Sequence, residues 1–462
     1  MEKKLRKIFC DMQLRAKLNP NPDYITRINK LRKLKRALLN KKTKLVQSIR
    51  QDYGFRSPFD SLICDILPAV NHINYTISRL RSWMKPSSRS EGILLFPSKT
   101  QVYYQPLGII GIMVPWNFPI VLSLSPVVTA IAAGNLVMVK LSEYTHNTNN
   151  VLSIIFASLC DEIQVVEGDS KIAELFSNLP FNHLIFTGST KIGRLVAQSA
   201  AKNLTPVTLE LGGKSPVIIS DDAKLNSAVN IVMMGKSINS GQICVSPDYV
   251  FIPESKKNLF VDLYLKQFKD IFITKKSKID LTYIINDIHY QRLKRYLDNA
   301  KLLGADIHTF DEIQPNKRQM LPHLVTNVND NMILMQEEIF GPILPVIGYN
   351  HIDEAFRYVN NKPRPLVLYL ISNRKILRKK VIEQTYSGGV CFNDTLLHCM
   401  VDDAPFGGIG DSGIGQYHGI EGFKAFSQAK TVFSTPNWFP RSHVLLNHKA
   451  IIQKILNMLF LR

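Results

Sequence analysis

Apolar positions in the first part of the chain recur every three or four residues. Within 22–51, Ile25, Ile28, Leu31, Leu34, Leu38 and Leu39 do so, which predicts a basic amphipathic helix. Gly54, in DYGFRS, breaks it. A second helical run covers 58–83 and stops at Met84-Lys85-Pro86. The polar SSRSEG stretch (87–92) leads into ILLFPSKTQVYYQP. Its two short strand-like runs, separated by Pro97-Ser98-Lys99, predict a hairpin over 94–106 that projects from the body.

From Leu107 the pattern becomes α/β. Strands are expected over 108–114, 136–140 and 183–186, and helices over 126–134, 149–160 and 192–202. After Gly213 the alternation restarts: strand 216–220, helix 225–237, a cysteine loop, strand 249–252 and a long helix 255–268. Alternating strands and helices imply parallel, doubly wound sheets, and the restart implies a second α/β unit. Two glycine-rich loops follow, SGGVCFND (387–394) and PFGGIGDSGIG (405–415). The tail, 442–462, reads as amphipathic helix, with Leu445, Leu446, Ile452, Ile455, Leu456, Leu459 and Phe460 as its apolar stripe. Polar residues interrupt that stripe, which suits an interfacial or packing helix better than a membrane span.

Length and composition narrow the class. The 462 residues, 45% of them hydrophobic, are enough for two or three domains with a large core. The six cysteines (10, 64, 160, 244, 391 and 399) show no metal-type pairing, and residues 1–20 are charged throughout. Free thiols and a cytoplasmic protein without a resident metal are expected. The formal charge is +20, and residues 1–50 hold 16 Lys/Arg against 3 Asp/Glu. No nucleic-acid motif accompanies the charge. A solvated basic helix is the plain reading, and peripheral contact with an anionic membrane the sharper one.

Candidate chemistry centres on NSGQICVSP (239–247). Small residues around Cys244 let its thiol approach a partner. A thiol needs a route for its proton before it becomes a good nucleophile. Glu210, in VTLELGGKSP, ends a strand-like run beside Gly212 and Gly213 and could reach a thiol or a water. Asn117 follows Trp116 in the Pro-bracketed MVPWNFP, where a rigid side-chain amide makes a good oxyanion donor. FTGSTKIG (186–193) follows a strand and opens a helix. Gly188 and Gly193 match the first and third glycines of a dinucleotide fingerprint, but Thr190 replaces the middle one, so this motif alone is weak. Lys140 and Glu143 of VKLSE suit ribose hydroxyls, and Glu338 and Phe340 of MQEEIFGP suit a nicotinamide ribose and ring.

Taken together, PWNFP, KLSE, FTGST, LELGGKSP, GQICVSP, EEIFGP and PFGGIGDSG resemble the aldehyde dehydrogenase superfamily, in order and at compatible separations over roughly 5–435. PRPLVLY (363–369), SGGVCFND and GQYHGIEGFKAFS (415–427) look like its class 3, or fatty-aldehyde, branch. DYGFRS and SRLRSWMKP are similar to the bacterial coniferyl-type group. Leu141 departs from the family's proline after the lysine and loosens that turn. The resemblance implies Cys244 as nucleophile, Glu210 as base for hydrolysis and Asn117 as oxyanion donor. It implies Trp116, Lys140, Glu143, Gly188, Ser189, Thr190, Gly193, Leu211, Glu338 and Phe340 as cofactor residues, with NAD as cofactor and NADP left open. It also implies a cofactor-binding domain over 1–93 and 107–210, a catalytic domain over 211–395, an oligomerisation arm from 94–106 and 426–436, and a glycine-rich return over 396–425. A homodimer and a hydrophobic aliphatic or aromatic, coniferyl-type aldehyde substrate follow from the branch. A cysteine-dependent esterase or thioesterase, and a non-catalytic surface-binding protein that kept the fold, are the competing functions.

Overall fold

The computed structural model describes residues 2–273, 279–310, 315 and 317–461. Met1 and Arg462, the ends of two expected segments, lie outside them, as do 274–278, 311–314 and 316 within the expected 211–395 unit.

Three sheets organise these residues. A six-stranded sheet runs in the order Gly413–Ile414, Val207–Leu211, His183–Gly188, Ile109–Met113, Leu136–Lys140, Ile163–Val166. Its strands are parallel except Gly413–Ile414. The central strand, IIGIM, is buried at every position, as a parallel strand covered on both faces must be. A seven-stranded sheet has the order Asp306–His308, His323–Thr326, Ile343–Tyr349, Tyr249–Pro253, Pro216–Ile219, Val367–Ile371, Gly389–Phe392. Only its first strand is antiparallel. The third sheet is antiparallel: Ser87–Arg89, Lys99–Pro106 and Ser427–Ser434.

Expected and observed elements differ where a distant side chain sets a boundary. The helix expected over 126–134 is Val121–Ala133 and carries Pro126 inside it. It starts earlier because the Asp65 carboxylate accepts the amides of Ile120 (3.2 Å) and Val121 (3.0 Å). Its end matches expectation: Gly134, at φ +92°, takes the left-handed cap, and a Cβ there would lie 2.7 Å from the Arg27 guanidinium. The helix expected over 149–160 is His146–Phe156, because Asp52 accepts the amides of Asn147 and Thr148, each at 2.9 Å.

The 94–106 hairpin is a correction. Ile93–Leu95 is a 3-10 turn, and the strand Lys99–Pro106 pairs instead with Ser87–Arg89 and Ser427–Ser434. Pro97 has no N–H to give a ladder, so the strand partner comes from the polar stretch before it. An N-terminal helix, Glu2–Leu18, was not expected. It buries only Leu5, Phe9 and Met12, too narrow a stripe to stand out among its charges. The tail forms two helices, Arg441–Asn447 and Lys449–Leu459, neither with a buried residue.

The functional consequence lies in which edges meet. Trp116, Asn117, Lys140, Glu143, Ser189, Glu210 and Leu211 lie at or just beyond the carboxyl ends of strands in the six-stranded sheet. Cys244, Glu338 and Phe340 precede the amino ends of strands in the seven-stranded sheet. Ligand crevices in α/β sheets open at carboxyl ends, near the point where strand order reverses. Here that point lies between Ile109–Met113 and His183–Gly188.

Candidate active site

The loop before Cys244 is bent hard and held on every side. Asn239, Ser240 and Gly241 take φ of 49°, 52° and 71°, three left-handed residues in succession. Two of them carry side chains, so other contacts must fix the conformation. The Asn239 amide donates to Asp60 Oδ2 at 3.0 Å, and Ser240 Oγ donates to Thr282 O. Gln242 Nε2 donates to Asn239 O (2.9 Å) and Tyr283 O (3.1 Å), while its Oε1 accepts from Ile285 N at 3.0 Å. Gly241 is obligatory, since a Cβ there would lie 2.7 Å from Gly341 O. Beyond the thiol, Tyr369 donates to Val245 O at 2.6 Å and the buried Lys236 to Pro247 O at 2.8 Å.

Asn117 reaches this loop from the other sheet. Its Nδ2 donates to Gln242 O at 3.2 Å. Its own carbonyl accepts from Arg56 Nη1 (2.7 Å) and Tyr53 OH (3.2 Å). The Arg56 guanidinium is fully buried and pairs with Asp65 at 3.1 Å.

Glu210 ends strand Val207–Leu211, buried, and neither carboxylate oxygen has a hydrogen-bond partner among the described residues. Burial therefore holds its pKa well above the ordinary carboxylate value. Cys244 is half-buried. Burial pushes its thiol up, and the charges of Cys399, Glu338 and Glu210 add to the shift. The thiol and both carboxylates thus share one electrostatic neighbourhood. Tyr417 shares that electrostatic neighbourhood.

Glu338 sits over Gly212, where a Cβ would lie 2.0 Å from its Oε2. Burial, then Asp248, carries its pKa up to about 8, against a hydrogen bond from the Gly213 amide and the charges of Arg292 and Lys214. Its loop is fastened from two sides. Lys214 pairs with Asp248 and donates to Leu334 O at 2.7 Å and Glu337 O at 3.0 Å. Arg292 donates to the carbonyls of Glu338 (3.2 Å) and Ile339 (2.8 Å).

An aromatic row joins this centre to the sheet edge. Trp116 packs on Phe340 at 5.4 Å and on His289 at 5.1 Å, and His289 lies 6.3 Å from Tyr144. Tyr144 adjoins Glu143, whose carboxylate pairs with Lys140 at 2.8 Å. One strand over, Ser189 caps helix Thr190–Ala201. Thr190 Oγ1 donates to Asp411 O at 3.0 Å, so this turn is tied to the glycine-rich return. Gly193 lets the helix lie directly on Leu211, since a Cβ there would sit 2.5 Å from Leu211 Cδ2. At Gly188 a Cβ would meet the Phe186 ring at 2.5 Å.

Asn117, Glu210, Cys244 and Glu338 therefore converge, Trp116 and Phe340 touch, and Lys140 with Glu143 stands at the far end of the row. The residues that sequence reasoning missed are Arg56, Asp65, His289, Arg292 and Asp248. Each acts through a backbone carbonyl, a backbone amide or a ring face, and none of these contacts leaves a mark on sequence spacing. Among the described residues no cluster suits a metal ion.

Residues 19–432 match the aldehyde dehydrogenase family. The chain belongs to that family.

It is 43% identical over 461 residues to a "Probable coniferyl aldehyde dehydrogenase" of Pseudomonas aeruginosa, a match covering 99% of this chain and 96% of that one. It is 35% identical to mouse "Aldehyde dehydrogenase family 3 member A2", over 87% of this chain and 83% of that one. A solved Staphylococcus aureus AldH in a substrate-bound state superposes with a TM-score of 0.90 at 32% identity, over 97% of this chain and 99% of that one. The protein is thus a class 3-like aldehyde dehydrogenase, an oxidoreductase that oxidises aldehydes with NAD or NADP.

The site's electrostatics predict how the free thiol of this dehydrogenase behaves. A raised pKa leaves little thiolate at neutral pH, so cofactor-free alkylation of Cys244 by iodoacetamide should rise about tenfold per pH unit from 7 to 9. The check is mass-spectrometric tracking of Cys244 alkylation across that range. A plateau beginning near pH 7 would contradict a burial-raised thiol.

Proposed function

We propose that this dehydrogenase oxidises a hydrophobic aliphatic or aromatic aldehyde, of coniferyl type in the aromatic case, through a covalent adduct on Cys244. The observation that carries this reading is a buried, unpartnered Glu210 carboxylate in the electrostatic neighbourhood of Cys244, with the Asn117 amide bonded to the loop that carries that thiol. The substrate class is supported by the aromatic and apolar surroundings, Phe406 and Tyr417 among them, and by the name of the Pseudomonas relative.

Cys244, once deprotonated, attacks the aldehyde carbon and gives a thiohemiacetal. The Asn117 side-chain amide and the Cys244 backbone N–H donate to the oxyanion. The nicotinamide, when bound, supplies the hydride acceptor that leaves a thioester on Cys244. Glu210 then takes a proton from water as the water oxygen attacks the thioester, and the sulfur departs as thiolate with the carboxylic acid released. A pKa raised by burial makes Glu210 a stronger base for that proton.

The residues present fit a dinucleotide. Helix Thr190–Ala201, laid on Leu211 through Gly193, brings its first-turn amides to the sheet edge, where phosphate is favoured, with Gly188, Ser189 and Thr190 forming the turn. Lys140 and Glu143 would take the adenine-side ribose. Glu338 and Phe340, with Trp116, would hold the nicotinamide side. In this reading the six-stranded sheet is the core of the cofactor-binding domain, and the seven-stranded sheet that of the catalytic domain.

We extend the proposal to assembly. Strand Ser427–Ser434 beside Lys99–Pro106 forms the arm of a homodimer. The tail helices, with Leu445, Leu446, Ile455, Leu459 and Phe460 exposed, give peripheral contact with an anionic membrane. No described helix is long and apolar enough to cross one.

Four measurements test these readings. Cys244→Ala abolishes aldehyde oxidation while cofactor binding survives. Glu210→Gln leaves a burst of NADH near one equivalent per site, followed by turnover slowed roughly 100-fold. Equal loss of burst and steady phase would remove the deacylation role. Next, NAD is preferred over NADP because Glu143 repels a 2′-phosphate, and Glu143→Ala narrows the gap. A wild-type preference for NADP would end that assignment. Finally, the full chain sediments with anionic vesicles at low salt, and a chain truncated after Arg441 does so more weakly. Both remaining in the supernatant would leave the tail as a packing element.

A further inference from the structure

Four of the six cysteines, Cys64, Cys244, Cys391 and Cys399, pack against one hydrophobic core. Two of them are tied through a single hydroxyl. Tyr369 OH donates to the carbonyl of Val245, the residue after Cys244, at 2.6 Å. The same oxygen accepts from the amide of Leu396 at 3.2 Å. Leu396 opens the short turn Leu397–Met400, and Cys399 Sγ on that turn donates back to Leu396 O at 2.9 Å. One phenol thus holds the peptide beside the reactive thiol against the turn that carries a second thiol. Both thiols are half-buried, and Cys399 heads the charged neighbours that Cys244 feels. The turn is lightly held by its other polar side chain: neither ring nitrogen of His398 has a hydrogen-bond partner among the described residues. Nothing in the oxidation of an aldehyde uses Cys399.

We propose that Cys399 is a resolving thiol for Cys244, closing a reversible disulfide onto it after a hydroperoxide has oxidised it. The idea rests on Cys244 as the reactive thiol of the proposed mechanism. With hydrogen peroxide, the Cys244 thiolate attacks one peroxide oxygen. The O–O bond breaks, hydroxide leaves, and Cys244 becomes a sulfenic acid. Cys399 sulfur then attacks the Cys244 sulfur, and the S–S bond forms as the S–O bond breaks. The Cys399 proton goes to the departing hydroxide. Two thiols lose two electrons and two protons, and the peroxide becomes two waters. A sulfenic acid with no neighbouring thiol instead advances to sulfinic acid, which dithiothreitol does not reverse. A tethered thiol competes well with that second oxidation because its effective concentration is in the millimolar range or above. The arrangement would let the enzyme survive an oxidant burst with its nucleophile capped rather than destroyed.

The test uses the full chain. Protein treated with a small excess of hydrogen peroxide is alkylated, digested without reduction and analysed by mass. The expected result is a Cys244–Cys399 cross-linked peptide, activity lost in parallel with its appearance, and most of that activity restored by dithiothreitol. Cys399→Ser should oxidise aldehyde as the native chain does, but its peroxide inactivation should become irreversible, with sulfinic Cys244 in the digest. Cys391→Ser and Cys64→Ser should recover like the native chain. Absence of the cross-link in the native chain, a bridge to Cys391 or Cys64 in its place, or full recovery of Cys399→Ser would each overturn the proposal. The cross-link in the native chain needs no variant, so a substitution that fails to fold does not block the test. Because that peptide is read by mass, it also separates this proposal from the nucleophile assignment, which Cys244→Ala tests through aldehyde oxidation alone.

Discussion

The fully buried pair Arg56–Asp65 is the constraint on which the site depends. Each member is costly to bury alone, and each spends its remaining hydrogen bonds on the backbone of the same loop. Arg56 fixes the carbonyl of Asn117, and Asp65 caps the helix that follows through Ile120 and Val121. Asn117 in turn bonds the carbonyl of Gln242 on the cysteine loop. One chain of contacts, 65 to 56 to 117 to 242, thereby sets the distance between an amide on one sheet and a thiol on the other. Burial outweighs the attraction of Arg56 and carries Asp65 up to about 6. With the folded value above the unfolded one, this group's stabilising contribution is full below about pH 4 and fades as pH rises through 6. Specific geometry is therefore kept at some cost in stability at neutral pH.

The same low polarity governs the ionisable groups around the thiol. Cys244 and Glu210 are pushed up, Glu338 is pushed up to about 8, and His289 is pushed down to about 4, in every case with burial as the largest cause. Each shift favours the neutral form. Burial thus disfavours charge on the Cys244 thiol and the Glu210 carboxyl alike. At the rim, Lys140 pairs with Glu143, which is open enough to meet a polar ligand. A thiol stored this way is also sheltered from chance alkylation, because its reactive form is rare until something in the site changes.

Much of the fold was legible because its strands are short apolar runs bounded by turn residues. The strand at 136–140 and the helix at 225–237 appear at their expected limits. The helix starts at Val121 and His146 were not legible, since Asp65 and Asp52 create them from other elements. Nor was the partner of strand Lys99–Pro106, because a polar SSR run carries no alternation to mark it. At the site, small residues around Cys244 pointed to a close approach. They did not reveal that Asn239 and Ser240 would take left-handed backbone, a conformation paid for by bonds to Asp60 and Thr282. Arg56 and Arg292 were invisible for a simpler reason. An arginine that serves a backbone carbonyl has no partner residue type to search for.

Two parallel sheets usually offer two crevices, one at each carboxyl edge. Here the chain spends both on a single centre by turning the seven-stranded sheet around, so that its amino edge faces the carboxyl edge of the six-stranded one. A thiol on a loop that enters a strand approaches from the opposite side to an amide on a loop that leaves one. Glu210 lies on the seam itself: its strand ends the six-stranded sheet's parallel run, and Gly212 and Gly213 just beyond it pass under Glu338. Gly212 and Gly213 mark the passage between the two sheets, and at 212 a methyl group would meet the Glu338 carboxylate; Gly241 allows the cysteine loop and the Gly341 backbone to touch within the seven-stranded unit. The geometry of the centre is then partly a property of the interface between two sheets, where the Asn117 side-chain amide on a loop of one bonds the Gln242 carbonyl on a loop of the other.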